Sequence, residues 1–217
     1  MRRLALSALL LLAACAGKPV PPDWQANAHA ALGNFSAAYY AGNTRLAERE
    51  FARARADIAA TGRPDLLARA ELVRCAARVA SLAFDECPGF QALAADAGQN
   101  ERAYAAFLAG RWQGLDASLL PAHHRALLAG AVSAGALAAI EDPMSRLVAA
   151  GVLFRIGRLT PEGTTVAAAT ASDYGWRRPL LAWLGVQAAR ADAAGDGAEA
   201  ARIRRRIYIV TNSPAAQ

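Results

Sequence analysis

The sequence predicts an all-α protein built of antiparallel helical hairpins, stacked as a short solenoid or an irregular bundle. Three observations predict it. Apolar residues recur at the spacing of one helix face. The strict alternation with β-branched residues that marks strands is nearly absent. Glycine, proline and Asx residues interrupt the chain at intervals suited to helix ends. With 217 residues, 55% of them apolar, the chain is long enough for one helical domain over 24–212, with a short tail at 213–217.

The first helix is expected over Trp24–Ala41 and is stopped by Gly42-Asn43. A second, Thr44–Ala60, carries the stripe Ala47, Phe51, Ala54 and Ile58, with arginines and glutamates on its other side. Gly62 and Pro64 end it. Asp65 is read as the cap of a third helix whose stripe is Leu66, Ala70, Val73, Ala77, Ala80 and Phe84. That leaves Arg69, Glu71, Arg74 and Arg78 outside the stripe. Two shorter helices, Pro88–Ala97 and Glu101–Ala109, fall around Gly98 and Gly110. Pro121 then opens a long and nearly uncharged helix to Ile140, expected to be central. Asp142-Pro143 and Thr160-Pro161-Glu162 are strong starts, with a side-chain cap followed by proline in the first turn. Pro179–Ala194 and Ala198–Val210 form a last pair around Gly195-Asp196-Gly197. The β-prone Ile207-Tyr208-Ile209-Val210 leaves the final turn open.

Ahead of the helices, Arg2 and Arg3 precede an apolar run from Leu4 to Ala14 that ends Leu12-Ala13-Ala14-Cys15. A basic start, an apolar core and small residues before a cut describe a secretory signal. With its final cysteine, it resembles a bacterial lipoprotein signal and its lipobox. The resemblance implies cleavage of residues 1–14 and lipidation of Cys15. With Ala16 rather than an aspartate following, it also implies anchorage in the outer membrane, facing the periplasm. Residues 15–23, with Pro19, Pro21 and Pro22, read as a tether reaching roughly 25 Å. The longest uncharged run in the rest of the chain, Ala126–Ile140, is shorter than the ~20 residues needed to span a bilayer.

A second resemblance is fainter. Leu32-Gly33, Tyr39-Tyr40, Gly42, Ala47, Phe51 and Pro64 resemble a tetratricopeptide repeat, and Ala194-Gly195-Asp196-Gly197-Ala198 echoes its turn. It implies stacked hairpins presenting a groove to a protein or peptide.

The formal charge is +6, and Lys18 is the only lysine. Arginines concentrate at Arg45, Arg49, Arg53 and Arg55, where Glu48, Glu50 and Asp57 neutralise them. They concentrate again at Arg177, Arg178, Arg202, Arg204, Arg205 and Arg206, where acids are few. The second set is a candidate site for anionic lipid or glycan. Tyr174 and Trp176 beside it are candidate partner-binding residues, or else Trp176 fills a gap between helices. Cys75 and Cys87 are a candidate disulfide in an oxidising compartment.

No catalytic or metal site is expected. His123-His124 are adjacent and so point about 100° apart, which suits no single ion; both read as polar residues in a helix's first turns. Ser133, in Ala131-Val132-Ser133-Ala134-Gly135, lacks the strand that a nucleophile elbow needs. Carboxylates such as Glu71, Asp85, Glu86, Glu101, Asp116, Glu141, Asp142 and Glu162 sit at helix starts or among arginines. The expected function is therefore a non-catalytic interaction or assembly module of the cell envelope, with no cofactor beyond its lipid and no nucleic acid as partner. A peptidoglycan-acting hydrolase is the rival, because paired acids could drive glycoside hydrolysis. Binding of an anionic lipid or glycan is a third reading.

Overall fold

In a computed structural model of the chain, residues 22–213 are described, apart from residue 131. The residues read above as a signal segment, lipidated Cys15 and tether lie outside the described residues except for 22 and 23, and so do residues 214–217. Those described form eleven α-helices and no strand. The helices are α1 Asp23–Ala41, α2 Thr44–Ala59, α3 Pro64–Ala80, α4 Pro88–Gln91, α5 Gln99–Leu108, α6 Ala122–Leu128, α7 Ala134–Ala138, α8 Pro143–Arg155, α9 Pro161–Asp173, α10 Arg177–Ala193 and α11 Gly197–Asn212. A 3-10 turn, Ala117–Leu119, precedes α6.

Several helix starts follow the capping chemistry of the sequence. Asn43, Asp142, Thr160 and Asp196 each accept a hydrogen bond from a backbone N–H of the first turn. Gly42, at φ 90°, ends α1, and Asn43 N–H reaches back to Ala38 O. Two expectations are corrected at the ends, and one left open is settled. Asp23, read above as the end of the tether, belongs to α1. Pro64 opens α3, with Arg63 at the cap position and Asp65 in the first turn. The β-prone end of α11 stays helical to Asn212, because Ile203 and its neighbours pack on α10.

The largest correction concerns 121–140. A single long helix does not form. Gly130 turns the chain at φ 98°, a region closed to most residues. Ser133 then accepts from Ala136 N–H and starts α7. Ala122, Ala126 and Ala129 of the first piece face solvent, so the segment is peripheral.

The helices make a bundle. α1 and α2 form one hairpin, α10 and α11 another, and α3, α8 and α9 lie between. In a linear solenoid each repeat touches only its neighbours. Here α1, from the first hairpin, also packs on α10 from the last. Tyr40 meets Trp176 at 4.8 Å, and Arg178 Nε donates to Tyr39 O at 2.6 Å. One continuous core runs from Phe35, Tyr40 and Phe51 through Leu147, Leu153 and Phe107 to Trp183 and Leu184.

α2 buries the four residues of its predicted stripe. α3 is packed on several sides, by α1, α2, α5 and α8, so its burial does not follow one stripe. Ala68, Leu72, Cys75 and Val79 are buried as well, and so is Glu71, at 3% exposure. Glu71 pairs with Arg55 of α2, which compensates its buried charge. Cys75 within α3 and Cys87 just before α4 are joined by a disulfide with Cα atoms 5.7 Å apart. It closes the loop between α3 and α4, worth about 3 kcal/mol in the chain-entropy account. Asp85 supports the loop by accepting from Cys87 N–H at 3.0 Å.

Candidate functional site: an apolar groove between α3, α5 and α8

A groove of about 490 Å³ opens between α3, α5, the 3-10 turn and α8. α3 contributes Leu72, Val73 and Ala76, which lie within about one turn of one another. Met144 and Val148 of α8 form the opposite wall, and Tyr104, Leu119 and Leu120 close the sides. The lining is mainly apolar, and Arg69, Glu101 and Arg125 are its charged members. Arg69 directs Nε and Nη2 onto one oxygen of Glu101, at 3.0 and 2.6 Å. Arg125 Nε donates to Leu120 O at 2.9 Å and Nη2 to Ser118 O at 3.2 Å. One guanidinium thus pins the turn that forms a wall of the groove.

Behind this wall lies His124, which is fully buried rather than a polar first-turn residue as its sequence context suggests. Its ring stacks on Phe107 at 4.8 Å, and Nε2 lies 3.1 Å from Ser145 O. Contact with a carbonyl requires that Nε2 carries the proton and donates. Nδ1 is buried without a partner. Burial holds the imidazole neutral and pushes its pKa down to about 4; the Ser145 contact works against that shift only in part. Burial likewise raises the Tyr104 phenol above its ordinary value, with Asp142 adding to the effect.

A pH dependence follows from His124. The unfolded chain binds a proton there near the ordinary value of 6.5, whereas the folded chain does so only near 4. Stability from the neutral ring is present above pH 6.5 and is lost as the pH falls toward 4, by about 3 kcal/mol. Urea unfolding at pH 7 and pH 4 should show a larger acid loss in wild type than in His124→Leu. Equal losses in the two proteins would refute this account of the ring.

The residues singled out in the sequence are placed in different surroundings. Arg178 is engaged by Tyr39 O, by Thr44 Oγ1 at 2.8 Å and by the face of the Tyr39 ring at 4.2 Å. Arg177 donates to Thr211 O at 2.6 Å. Both therefore join helices rather than offering an open basic site. Arg202 pairs with Glu199 and Arg204 with Asp192. Among the described residues, Arg205 and Arg206 have no carboxylate within ion-pairing distance. Trp176 is half-buried between Tyr40 and Tyr174, 4.8 and 5.0 Å away, and so fills a gap between helices. Tyr174 stays 56% exposed.

The acids are mostly engaged. Glu101 is held by Arg69, Asp85 by Arg78 and Glu86 by Arg155, while Asp116 and Asp142 cap helix starts. Glu141 and Asp142 share a hollow with His123 outside the groove. Cys75, Asp85 and Cys87 offer three ligand atoms within 4.8 Å of one another. The two sulfurs are bonded to each other and Arg78 holds the carboxylate, so this set presents no open metal site. Ser133 is an N-cap.

The groove residues were not recognised in the sequence. One signal was available: Arg69, Leu72 and Ala76 form a second face on α3 that adjoins the expected stripe at Val73. Its partner wall on α8 could not be inferred, because α3 and α8 are separated by more than sixty residues. Compared with known proteins, the chain matches no family model, no curated protein and no solved structure.

Proposed function

We propose that the chain is a lipoprotein, anchored through lipid on Cys15 at the periplasmic face of the bacterial outer membrane. In this reading it is a non-catalytic interaction module of the envelope. The apolar groove between α3, α5 and α8 receives an apolar segment of another envelope protein. The observation that carries the reading is the groove itself: a preformed hollow with a mainly apolar lining and a few polar groups, the usual make-up of a binding site. Its one carboxylate, Glu101, is neutralised by Arg69, which favours recognition over acid–base chemistry. The lipid is the only added group this function needs.

Photo-crosslinking in intact cells tests the reading. A crosslinking residue at Leu119 should capture a discrete protein. Ala76→Trp, which fills the groove from α3, should lower capture about tenfold while the circular dichroism spectrum is unchanged. Undiminished capture from the filled groove would refute the site. A fatty-acid label should mark the wild type and be absent from Cys15→Ser; a label that survives would refute the anchor.

A further inference from the structure

The outward face of α11 combines unpaired positive charge with exposed apolar side chains. Residues 177–212 contain seven arginines and three acids, whereas residues 15–176 contain fifteen basic and fifteen acidic side chains. All the net charge downstream of the signal therefore resides in the α10–α11 hairpin. Within it, Arg177, Arg178 and Arg190 are directed at backbone carbonyls of other elements. The charge left over is displayed on α11. Arg202, Arg205, Tyr208 and Ile209 are spaced by three, three and one residues, which places them on one side of the helix. Tyr208 is 69% and Ile209 63% exposed, two of the three exposed large hydrophobic residues among those described. The opposite side, at Ala200 and Ile203, is buried against the fold. α11 packs principally on α10, so its 16 residues, about 24 Å long, can lie flat on a surface.

From this arrangement we infer that the α11 face rests on an anionic phospholipid surface. The guanidiniums of Arg205 and Arg206 meet lipid phosphates, and Tyr208 and Ile209 enter the interfacial layer beside them, while Arg202 on the same side stays paired with Glu199. Charge complementarity identifies the occupant as anionic. The interleaved aromatic and aliphatic side chains favour a bilayer over an acidic protein, since a helix lying in the interface needs apolar groups to insert as well as cations to attract. The inference deepens the anchored reading above, because a tethered domain is held beside such a surface. A contact of this kind would set the domain's orientation on the membrane.

Vesicle sedimentation tests it with the full chain carrying Cys15→Ser, so that the outcome does not depend on lipidation. The chain should bind vesicles of phosphatidylcholine with 30% phosphatidylglycerol well above pure phosphatidylcholine. Arg205→Gln with Arg206→Gln should weaken that binding about tenfold. Tyr208→Ala with Ile209→Ser should weaken it several-fold at unchanged charge. Arg205, Tyr208 and Ile209 are exposed and Arg206 is partly so, and thermal midpoints should match wild type. Unchanged binding of either double variant would overturn the inference. Displacement from the vesicles by soluble polyglutamate at equal charge would assign the face to an acidic protein and overturn it as well. Failure here leaves the Cys15 label unaffected, and loss of the label leaves this assay unaffected, so the two readings fail separately.

Discussion

Trp183→Ala is expected to destabilise the protein by about 4 kcal/mol, the largest single effect in this fold. Trp183 is the largest fully buried side chain, at 0% exposure. It lies where α10 reaches the end of α3. Its ring meets Phe154 edge-on at 5.9 Å, and its Nε1–H donates to Ala80 O at 3.1 Å. Ala80 is the last residue of α3, so its carbonyl has no partner within the helix. Truncation would therefore open a cavity and strand a buried carbonyl together. Trp183→Phe separates the two effects. It keeps most of the ring and loses the donor, for a cost of about 1–2 kcal/mol. Urea denaturation followed by circular dichroism measures both. A loss under about 1 kcal/mol for the alanine variant would mean the ring is not a keystone.

Gly151→Leu should cost about 3 kcal/mol, for the opposite reason. Gly151 sits in α8 where it crosses α3. A Cβ placed there would lie 2.9 Å from the carbonyl carbon of Val79, and nearer still to its oxygen. Those atoms are helix backbone, so the two helices would have to separate. They are also the walls of the groove, through Val73 and Ala76 on one side and Met144 and Val148 on the other. The variant should thus lose stability and crosslinking from Leu119 together. Gly185, inside α10 with nothing within 4 Å of its built Cβ, provides the contrast. There alanine should be neutral or stabilise by up to about 1 kcal/mol. Similar denaturation midpoints for Gly151→Leu and Gly185→Ala would contradict the close crossing.

The parts of this structure that were legible in the sequence are those governed by local chemistry. α2 displays its four buried residues at helical spacing because it is packed mainly on one side. The starts at Asp142-Pro143 and Thr160-Pro161 could be read because a side-chain cap and a proline act within one turn. What could not be read depended on distant segments. α3 is contacted from several sides, so no single stripe describes it, and Glu71 could be recognised as buried only with Arg55 beside it. His124 looks like a surface residue until Phe107 and Ser145 are brought against it. Within 121–140, small residues that a helix tolerates concealed a glycine turn and a serine cap. The groove shares this cause: each wall is visible in its own helix, and their pairing is not.

The arginine richness gains a structural meaning in the same way. Arg102, Arg125, Arg146, Arg155, Arg177, Arg178 and Arg190 all donate to backbone carbonyls of other segments. A planar fork with several donors can do this while still packing against a ring or a hydroxyl, as Arg178 does; a lysine cannot reproduce that geometry.

The Arg178 clasp bears on how such a chain can change its length. A ladder of hairpins grows by copying a rung, because each rung needs only the ones beside it. Here the first and last rungs are fastened together. Any duplicated hairpin inserted between them would have to undo that fastening first, so this architecture favours substitution over extension and ought to melt in a single step.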